Sequence, residues 1–165
     1  MRRFLTLKPA MKTIFAFSDI HERTLPPNLE EVANESNYVF FLGDGAARLA
    51  CLSGHKNFYA VRGNCDFMPL PAEQVVEVEG VRILLTHGDA YRVKSDLLSL
   101  SLRAAELGCS LAVYGHTHFA ERTEYNGVTL INPGALSHPM SQTPTYAYIV
   151  IEKGKILSSF VPVFF

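Results

Sequence analysis

Short hydrophobic runs recur along the chain, and each run stops at a glycine or a polar turn. Runs of four or five residues that are rich in β-branched and aromatic side chains are typical of buried β-strands. Five such runs cover residues 13–17, 38–42, 58–61, 81–85 and 111–114. Similar or alternating patterns predict further strands at residues 74–78, 120–125, 128–131, 146–151 and 156–160.

Three segments have the spacing or composition of helices. Residues 93–107 place apolar side chains on one face at helical spacing, and Gly108 suits the position just beyond a helix end. A second helix is predicted at residues 29–34, where Asn28 and Glu31 have the spacing of a capping box. The short apolar segment 46–53 is also predicted to be helical.

Glycine dipeptides mark the tight turns between strands. Asn126-Gly127 is a strong signal for a type I′ hairpin, and Glu79-Gly80 and Lys153-Gly154 predict two more turns. Strands alternate with helices in the first half of the chain, whereas the second half consists mostly of strands. This order predicts an α/β (α+β) fold in which two sheets pack face to face and helices cover the outer faces.

The composition favours one globular domain and excludes several classes of partner. The chain has 165 residues, of which 48% are hydrophobic and 19% charged, so it can bury a core. A formal net charge of −1 gives no global attraction for nucleic acid or an anionic membrane. No hydrophobic run approaches membrane-spanning length. We therefore expect no membrane partner, and nucleic acid could bind only at a local patch.

The cysteines and the chain ends carry further expectations. Cys51, Cys65 and Cys109 form no CxxC pair, so a disulfide framework is not expected and a cytoplasmic location is favoured. Residues 1–11 lack the apolar core of a signal peptide and are predicted to be a short N-terminal extension before a single domain, residues 12–165. The apolar end, residues 160–165, is predicted to be a last strand and a candidate homodimer contact.

Metal-binding residue types collect in five short clusters, each at the end of one of the five runs. Ligands at successive strand ends converge on one edge of a sheet, where open α/β folds usually bind their ligands. The candidate ligands are Asp19, His21, Asp44, Asn64, His87, His116 and His118. Any one cluster alone could be an ordinary turn, but five in this arrangement predict a metal centre.

The charge of this set favours two metal ions and an anionic substrate. Asp19 and Asp44 supply two negative charges, so two divalent cations with a bound hydroxide would leave about +1. One metal cannot use seven ligands, whereas two that share a carboxylate can, and such a pair clamps the attacking and leaving oxygens of an in-line displacement. The mixed nitrogen and oxygen donors favour Mn²⁺, Fe²⁺, Zn²⁺ or Ni²⁺ over Ca²⁺ or Mg²⁺.

The order of the motifs resembles the calcineurin-like metallophosphoesterase superfamily. The motifs are Asp-x-His, Gly-Asp, Gly-Asn-x-Asp, His-Gly and Gly-His-x-His. The compact size, Ser18-Asp19-Ile20-His21, Gly63-Asn64-Cys65-Asp66 and the turn Asn132-Pro133-Gly134 are similar to its small prokaryotic phosphodiesterase branch. The resemblance runs from about residue 12 to the C-terminus and implies a four-layer α/β/β/α sandwich of two mixed β-sheets flanked by helices.

The resemblance also implies roles for the candidate ligands. Asp19, His21 and His118 would hold one metal ion, while Asn64, His87 and His116 would hold the other. Asp44 would bridge both ions, most simply two Mn²⁺. A metal-bridging hydroxide would then attack phosphorus in line, and Asn64 would help orient the phosphate of a small phosphodiester.

Two positions depart from the pattern of the superfamily. Many of its phosphatases have histidine where this chain has Cys65, so Cys65 is either a proton donor or a small packed turn residue. The loop after Gly134 contains His138 but lacks the Ser and Arg common in the branch. His138 is therefore a candidate substrate contact near the rim of the site.

Three residues are expected to support the ligands or the substrate. Asp66 is predicted to orient a ligand or Cys65 without binding the metal itself, and Asn132 is predicted to support the ligands in the same way. Arg62 either contacts the phosphate or forms an exposed salt bridge.

Three functions compete. A metal-dependent phosphodiesterase fits the complete ligand set best. A non-catalytic scaffold is the second, because the retromer scaffold subunit resembles this fold but lacks the ligand histidines. A nuclease is the third, although neither the net charge nor the length offers a basic groove or an added capping domain.

Overall fold

Ten β-strands form the frame of the molecule. A computed structural model describes residues 11–141 and 143–165. The strands are β1 (Met11–Phe17), β2 (Tyr38–Phe41), β3 (Phe58–Ala60), β4 (Glu73–Val78), β5 (Val81–Thr86), β6 (Leu111–Val113), β7 (Ala120–Tyr125), β8 (Val128–Pro133), β9 (Thr145–Glu152) and β10 (Lys155–Pro162). Each strand predicted from the hydrophobic runs is present, with ends that shift by one or two residues.

The strands form two mixed sheets of five. One sheet has the order β10-β9-β1-β2-β3, and the other has the order β4-β5-β6-β8-β7. In the first sheet β1, β2 and β3 are parallel, and in the second β5, β6 and β8 are parallel. Because parallel neighbours end at the same edge, the loops that follow β1, β2 and β3 emerge side by side, as do those that follow β5 and β6.

The predicted glycine turns close the three hairpins. Both central residues have positive φ in Glu79-Gly80 (46° and 77°), Asn126-Gly127 (49° and 78°) and Lys153-Gly154 (49° and 75°). Positive φ at both positions defines the type I′ turn, whose twist matches that of the flanking strands. These turns fix the antiparallel register of β4 with β5, β7 with β8 and β9 with β10.

The four predicted layers are present, with the main core between the sheets. Side chains such as Ile14, Phe40 and Ile83 are fully buried between the two sheets. Helix α1 (Pro27–Glu35) covers the outer face of the first sheet, where Leu29 and Ala33 pack with Phe15 and other apolar side chains. Helix α2 (Leu98–Glu106) covers the second sheet through Leu100 and Ala104.

The helices differ from their predicted form. Helix α1 begins at Pro27 after Pro26 and has no side-chain cap, so the capping box of Asn28 and Glu31 was wrong. Proline suits the first helical position because its fixed φ matches the helix and its missing N–H needs no partner. Residues 46–53 are helical as predicted, but they form two short 3-10 helices, Ala46–Arg48 and Ala50–Leu52, and not one continuous α-helix.

The long helix predicted at residues 93–107 is shorter at its start. Helix α2 begins at Leu98, whose N–H donates to the Asp96 carboxylate at 2.9 Å. The preceding residues form turns, in which the N–H groups of Ser95 and Asp96 donate to the Arg92 carbonyl. Short polar side chains favour such local bonds over a continued helix.

The chain ends also refine the sequence analysis. The predicted extension, residues 1–11, lies outside the described residues except for Met11, with which β1 begins. Strand β10 ends at Pro162, and Phe164 and Phe165 are exposed, so the last residues do not continue the strand against the sheet. Among the residues that the structure describes, no helix is long and apolar enough to cross a membrane.

Candidate metal centre

All seven predicted ligands come together where five strands end. Asp19 and His21 follow β1, Asp44 follows β2, and Asn64 follows β3. From the second sheet, His87 follows β5, and His116 and His118 follow β6. The two sheets therefore contribute to one cluster at their common edge, as open α/β sheets commonly do for ligands.

The first group of donors surrounds Asp19. Its Oδ1 lies 3.1 Å from His118 Nε2 and 3.8 Å from His21 Nε2. Asp19 is fully buried, while both histidines are partly exposed. Two donors that each lie about 2.1 Å from one ion are roughly 3–3.5 Å apart, so this group has suitable spacing for a metal ion.

The second group converges on Nε2 of the buried His87. This atom lies 3.0 Å from Asn64 Oδ1, 3.2 Å from His116 Nδ1 and 3.3 Å from Asp44 Oδ2. These are the residues that the resemblance assigns to a second metal ion. His87 Nε2 also lies 3.9 Å from Asp19 Oδ1, so the two groups adjoin each other.

Asp44 connects the two groups. Its carboxylate lies at the spacing of donors that share one metal ion, here called donor spacing, from Asp19 and His87. It has the same spacing from His21 and Cys65. The second combination includes Cys65, which the sequence predicts to be a proton donor or a turn residue. Its sulfur therefore also lies close enough to the cluster to bind a metal ion.

Both buried carboxylates have one oxygen fixed by the chain and the other facing the histidines. Asp19 Oδ2 accepts hydrogen bonds from the Ser18 hydroxyl at 2.6 Å and from the His116 N–H at 3.2 Å. Asp44 Oδ1 accepts one from the Cys65 N–H at 2.8 Å. These hydrogen bonds orient the remaining carboxylate oxygens towards the cluster. Ser18 was not among the predicted site residues, although its position beside Asp19 was a signal for such a role.

Two buried atoms test whether the site suits a cation. Among the described residues, Asp19 Oδ1 and His21 Nε2 are buried without a hydrogen-bond partner, because the contacts they make lack hydrogen-bond geometry. A buried polar atom without a partner costs about 1–3 kcal/mol. Both atoms belong to the first group of donors, so a divalent cation would satisfy them, and the residues fit the metal that the sequence predicts.

Backbone carbonyls orient two of the histidines. His87 Nδ1 lies 2.6 Å from the Leu42 carbonyl, and His118 Nδ1 lies 2.8 Å from the His138 carbonyl. A ring whose Nδ1–H donates a hydrogen bond keeps the lone pair of Nε2 free to bind a metal, which is the usual arrangement of a metal-binding histidine. Sequence reasoning missed both carbonyls, because a carbonyl has no signature in the sequence.

Five of the seven candidate ligands have a left-handed backbone. Their φ values are 54° for Asp19, 49° for His21, 67° for Asp44, 72° for His116 and 61° for His118. Asp and His tolerate this region better than most residues, but it still costs energy and concentrates at functional sites. The loops therefore hold a conformation that points consecutive side chains into one cluster.

The loops approach so closely that glycine is required. A Cβ on Gly63 would lie 2.1 Å from Asp44 Oδ1, and one on Gly115 would lie 2.1 Å from Ser18 Oγ. Neither contact is sterically possible, so a larger residue would push the β2 and β3 loops, or the β1 and β6 loops, apart. Both glycines belong to the motifs that marked the clusters.

The charges inside the site are coupled. Burial alone would raise the pKa of Asp44, but the hydrogen bond and charge of His87 lower it to about 2. Burial likewise opposes protonation of His87, and its carboxylate neighbours raise its pKa. The Asp19 carboxylate raises the pKa of His118, whereas burial lowers that of His116. Asp44 is therefore ionised at neutral pH, as a metal ligand must be.

Three further predicted residues lie around the cluster. Asn132 Nδ2 donates to the Gly115 carbonyl at 3.1 Å and to the Thr117 hydroxyl at 2.9 Å, which fixes the turn between His116 and His118. Asp66 accepts backbone hydrogen bonds from the β2 and β3 loops. The exposed Arg62 lines a cavity beside Asn64.

His138 contacts the site through its backbone. Its exposed side chain pairs with Glu22 at 3.4 Å, while its carbonyl accepts from His118. The structure thus gives the His138 backbone a positioning contact that was not predicted, while the substrate contact of its side chain stays a prediction.

Known proteins show the same architecture and sequence pattern. Residues 11–154 match the calcineurin-like phosphoesterase superfamily domain. A probable metallophosphoesterase of Bacillus subtilis is 36% identical over 97 residues, which cover 58% of this chain and 57% of the relative. The chain thus spans little more than half the length of this relative.

Solved structures extend the likeness across the chain. A conserved protein of Streptococcus pneumoniae, itself a predicted phosphoesterase, has a TM-score of 0.82 at 27% identity, covering 94% of this chain and 91% of its own. Vps29 of Entamoeba histolytica in complex with zinc shares the fold, with a TM-score of 0.71 at 19% identity, covering 91% and 98%. The match over residues 11–154 establishes that the chain belongs to the calcineurin-like phosphoesterase superfamily.

Proposed function

We propose that this protein is a dinuclear, metal-dependent phosphoesterase that hydrolyses small phosphodiesters. The observation that carries the proposal is the pair of adjoining donor groups, one around Asp19 and one around His87, with Asp44 between them. Asp19, His21 and His118 would hold one ion, Asn64, His87 and His116 the other, and Asp44 both.

The candidate site supports phosphoester chemistry in three ways. Divalent cations bound there would attract the phosphate and lower the pKa of a water molecule. The neighbouring ring nitrogens and carboxylate oxygens are already oriented by Ser18, by the Cys65 N–H and by backbone carbonyls. These side chains therefore need little reorganisation during the reaction. Asn64 is exposed beside His87 and can donate its amide N–H to a phosphate oxygen.

The donor set also supports a choice of metal and substrate. Imidazole nitrogens mixed with carboxylate and amide oxygens suit Mn²⁺, and Ni²⁺, Fe²⁺ and Zn²⁺ are compatible with the same set. The described loops around the site are short, and cavities flank the cluster on the side of Asn64 and on the side of His118. Such an open site can accommodate both substituents of a small diester.

The remaining expectations are part of the proposal. Cys51, Cys65 and Cys109 are free thiols, which supports a reducing cytoplasm. The net charge of −1 gives no support for nucleic acid or an anionic membrane as a partner. The exposed Phe164 and Phe165 support a homodimer contact at the C-terminal end.

A substrate panel tests the proposed activity. Protein reconstituted with Mn²⁺ should hydrolyse bis(p-nitrophenyl) phosphate faster than p-nitrophenyl phosphate, and a chelator should abolish both activities. Adding Mn²⁺ back should restore them. If the reconstituted protein contains about two metal ions per chain and hydrolyses neither ester, the enzymatic proposal is wrong.

Cys65 predicts how the rate depends on the leaving group. Burial, and then the charge of Asp44, raise the pKa of the thiol, so it is a weak acid at neutral pH. With no stronger acid at that position, turnover should fall as the pKa of the leaving alcohol rises. Cys65→Ser should change turnover less than about tenfold, or 1.4 kcal/mol in barrier height. A loss of about 10²-fold or more would instead identify Cys65 as a general acid.

A non-catalytic scaffold is the second candidate. The observation that favours it is the fold shared with Vps29, a vacuolar protein sorting protein. Metal content cannot separate the two candidates, because Vps29 of Entamoeba histolytica binds zinc with the same fold. Turnover in the substrate panel decides between them.

A further inference from the structure

A cavity of about 770 Å³ opens beside the candidate metal centre, on the side of the second donor group. Gly63 and Asn64 line it, so it is continuous with the site. Its volume lies in the range of pockets that bind small molecules. We propose that this cavity binds a neutral, planar ring, the aryl substituent of a phosphoester held at the metal centre. This inference rests on the proposed function and names the substrate class.

Apolar side chains form one wall of the cavity. Phe67 is fully exposed, and Met68 and Pro69 follow it along the same wall. A large aromatic side chain without a protein neighbour offers both faces of its ring. A flat ring gains about 1–3 kcal/mol from stacking on such a side chain, so Phe67 is suited to bind an aryl group.

The segment that carries Phe67 is held from both ends. The preceding Asp66 accepts four backbone N–H groups from the β2 and β3 loops. At the other end, the Arg62 N–H donates to the Pro71 carbonyl at 2.8 Å, and the Leu70 N–H donates to the Met68 carbonyl at 2.8 Å. Because the loop is already ordered, a ligand does not have to order it on binding.

Elsewhere on the cavity lining, an ion pair holds Glu73 in place. Glu73 accepts from Arg103 Nη2 at 2.5 Å and from the Tyr91 hydroxyl, so its charge is compensated. The Asp66 charge is likewise compensated by backbone donors. Arg62 and Asp89 remain on the walls as opposite charges. The cavity therefore concentrates no single sign of charge, which favours a neutral ring over a charged one.

A smaller groove of about 480 Å³ lies on the other side of the metal centre. His116 and His118 line it together with Phe119 and Met140, and Phe119 is about half exposed. It is the rival site for an aryl group, with one charge of each sign on its wall, Lys94 and Glu121, but it is smaller and its aromatic side chain is less exposed than Phe67. Phe119 therefore provides the matched control for Phe67.

Calorimetric titration with three phosphonates tests the inference without turnover. Methyl-, cyclohexyl- and phenylphosphonate share one anionic head and differ only in the substituent. The metal-reconstituted protein should bind phenylphosphonate at least about tenfold more tightly than methylphosphonate, with cyclohexylphosphonate between them. In Phe67→Ala the ratio of methyl to phenyl dissociation constants should fall at least about fivefold, while Phe119→Ala should keep the wild-type ratio.

The outcomes separate this inference from the proposed function. If all three phosphonates bind equally well, or if Phe119→Ala removes the preference and Phe67→Ala does not, the aryl cavity is wrong while the metal centre stands. If the metal-reconstituted protein binds none of the three, the phosphoesterase proposal fails and the aryl cavity fails with it.

Discussion

Asp44→Ala should remove both metal ions and lower turnover at least about a thousandfold. Asp44 has donor spacing with both groups of ligands, and its Oδ2 lies 3.3 Å from His87 Nε2. Loss of a shared carboxylate therefore disturbs both ions, whose electrostatic stabilisation of the reaction is worth several kcal/mol. At 1.36 kcal/mol for each factor of ten, about 4 kcal/mol corresponds to this loss.

Metal content and turnover should be measured together. Elemental mass spectrometry of the purified variant should show fewer than one ion per chain under conditions in which the wild type retains about two. Asp19→Ala and His118→Ala should instead weaken one ion preferentially, because both residues belong to the first group. The exposed Asp96 provides the control, since Asp96→Asn removes the charge of a carboxylate that is not a candidate ligand and keeps an acceptor for the Leu98 N–H. Two tightly bound ions and near-normal turnover in Asp44→Ala would contradict the bridging role.

The convergence of the candidate ligands could be predicted because it depends on local patterns. A buried run followed by Gly-Asp or Gly-His states where a strand ends and which side chain follows it. Parallel pairing then brings the ends of β1, β2 and β3 to one edge. The hairpins were predictable for the same reason, since Asn126-Gly127 specifies its own turn type.

The parts that sequence reasoning missed depend on contacts between distant segments. The carbonyls of Leu42 and His138 orient His87 and His118, but any residue has a carbonyl. The left-handed φ of His116 is likewise not specified by residue type, because histidine tolerates this region but adopts it only uncommonly. The predicted start of α2 was wrong because the Asp96 side chain accepts a backbone N–H locally. This hydrogen bond competes with a longer helix, and the spacing of apolar residues does not reveal it.

Asp66→Asn should weaken metal binding although Asp66 is not a candidate ligand. Its Oδ2 accepts the N–H groups of Asp44 and Gly63, each at 2.9 Å. Its Oδ1 accepts those of Gly45 at 2.9 Å and Ala46 at 3.0 Å. In return, Asp44 Oδ1 accepts the N–H of Cys65 at 2.8 Å. Each loop thus supplies a carboxylate that accepts at least one backbone N–H group of the other loop. This exchange of hydrogen bonds fixes the orientation of the Asp44 carboxylate.

An amide cannot maintain this exchange. Asparagine keeps one accepting oxygen and replaces the other with an NH₂ group, so two backbone donors lose their acceptor. At about 1 kcal/mol each, the low end of the range because the site is partly exposed, the loss is about 2 kcal/mol. That corresponds to a fall of about 4–8 °C in melting temperature. Metal affinity should fall about 10–100-fold, as is usual when a residue that supports metal ligands is lost.

A metal titration distinguishes positioning from general destabilisation. If Asp66 positions Asp44, turnover of Asp66→Asn should recover towards the wild-type rate as the Mn²⁺ concentration rises, because excess metal compensates for weaker binding. A variant that is merely less stable would bind metal with wild-type affinity below its melting temperature. Asp96→Asn is the matched control, since Asp96 accepts a single N–H, from Leu98, and asparagine caps a helix about as well as aspartate. Wild-type metal affinity in Asp66→Asn would show that the Asp44 carboxylate is oriented without this exchange.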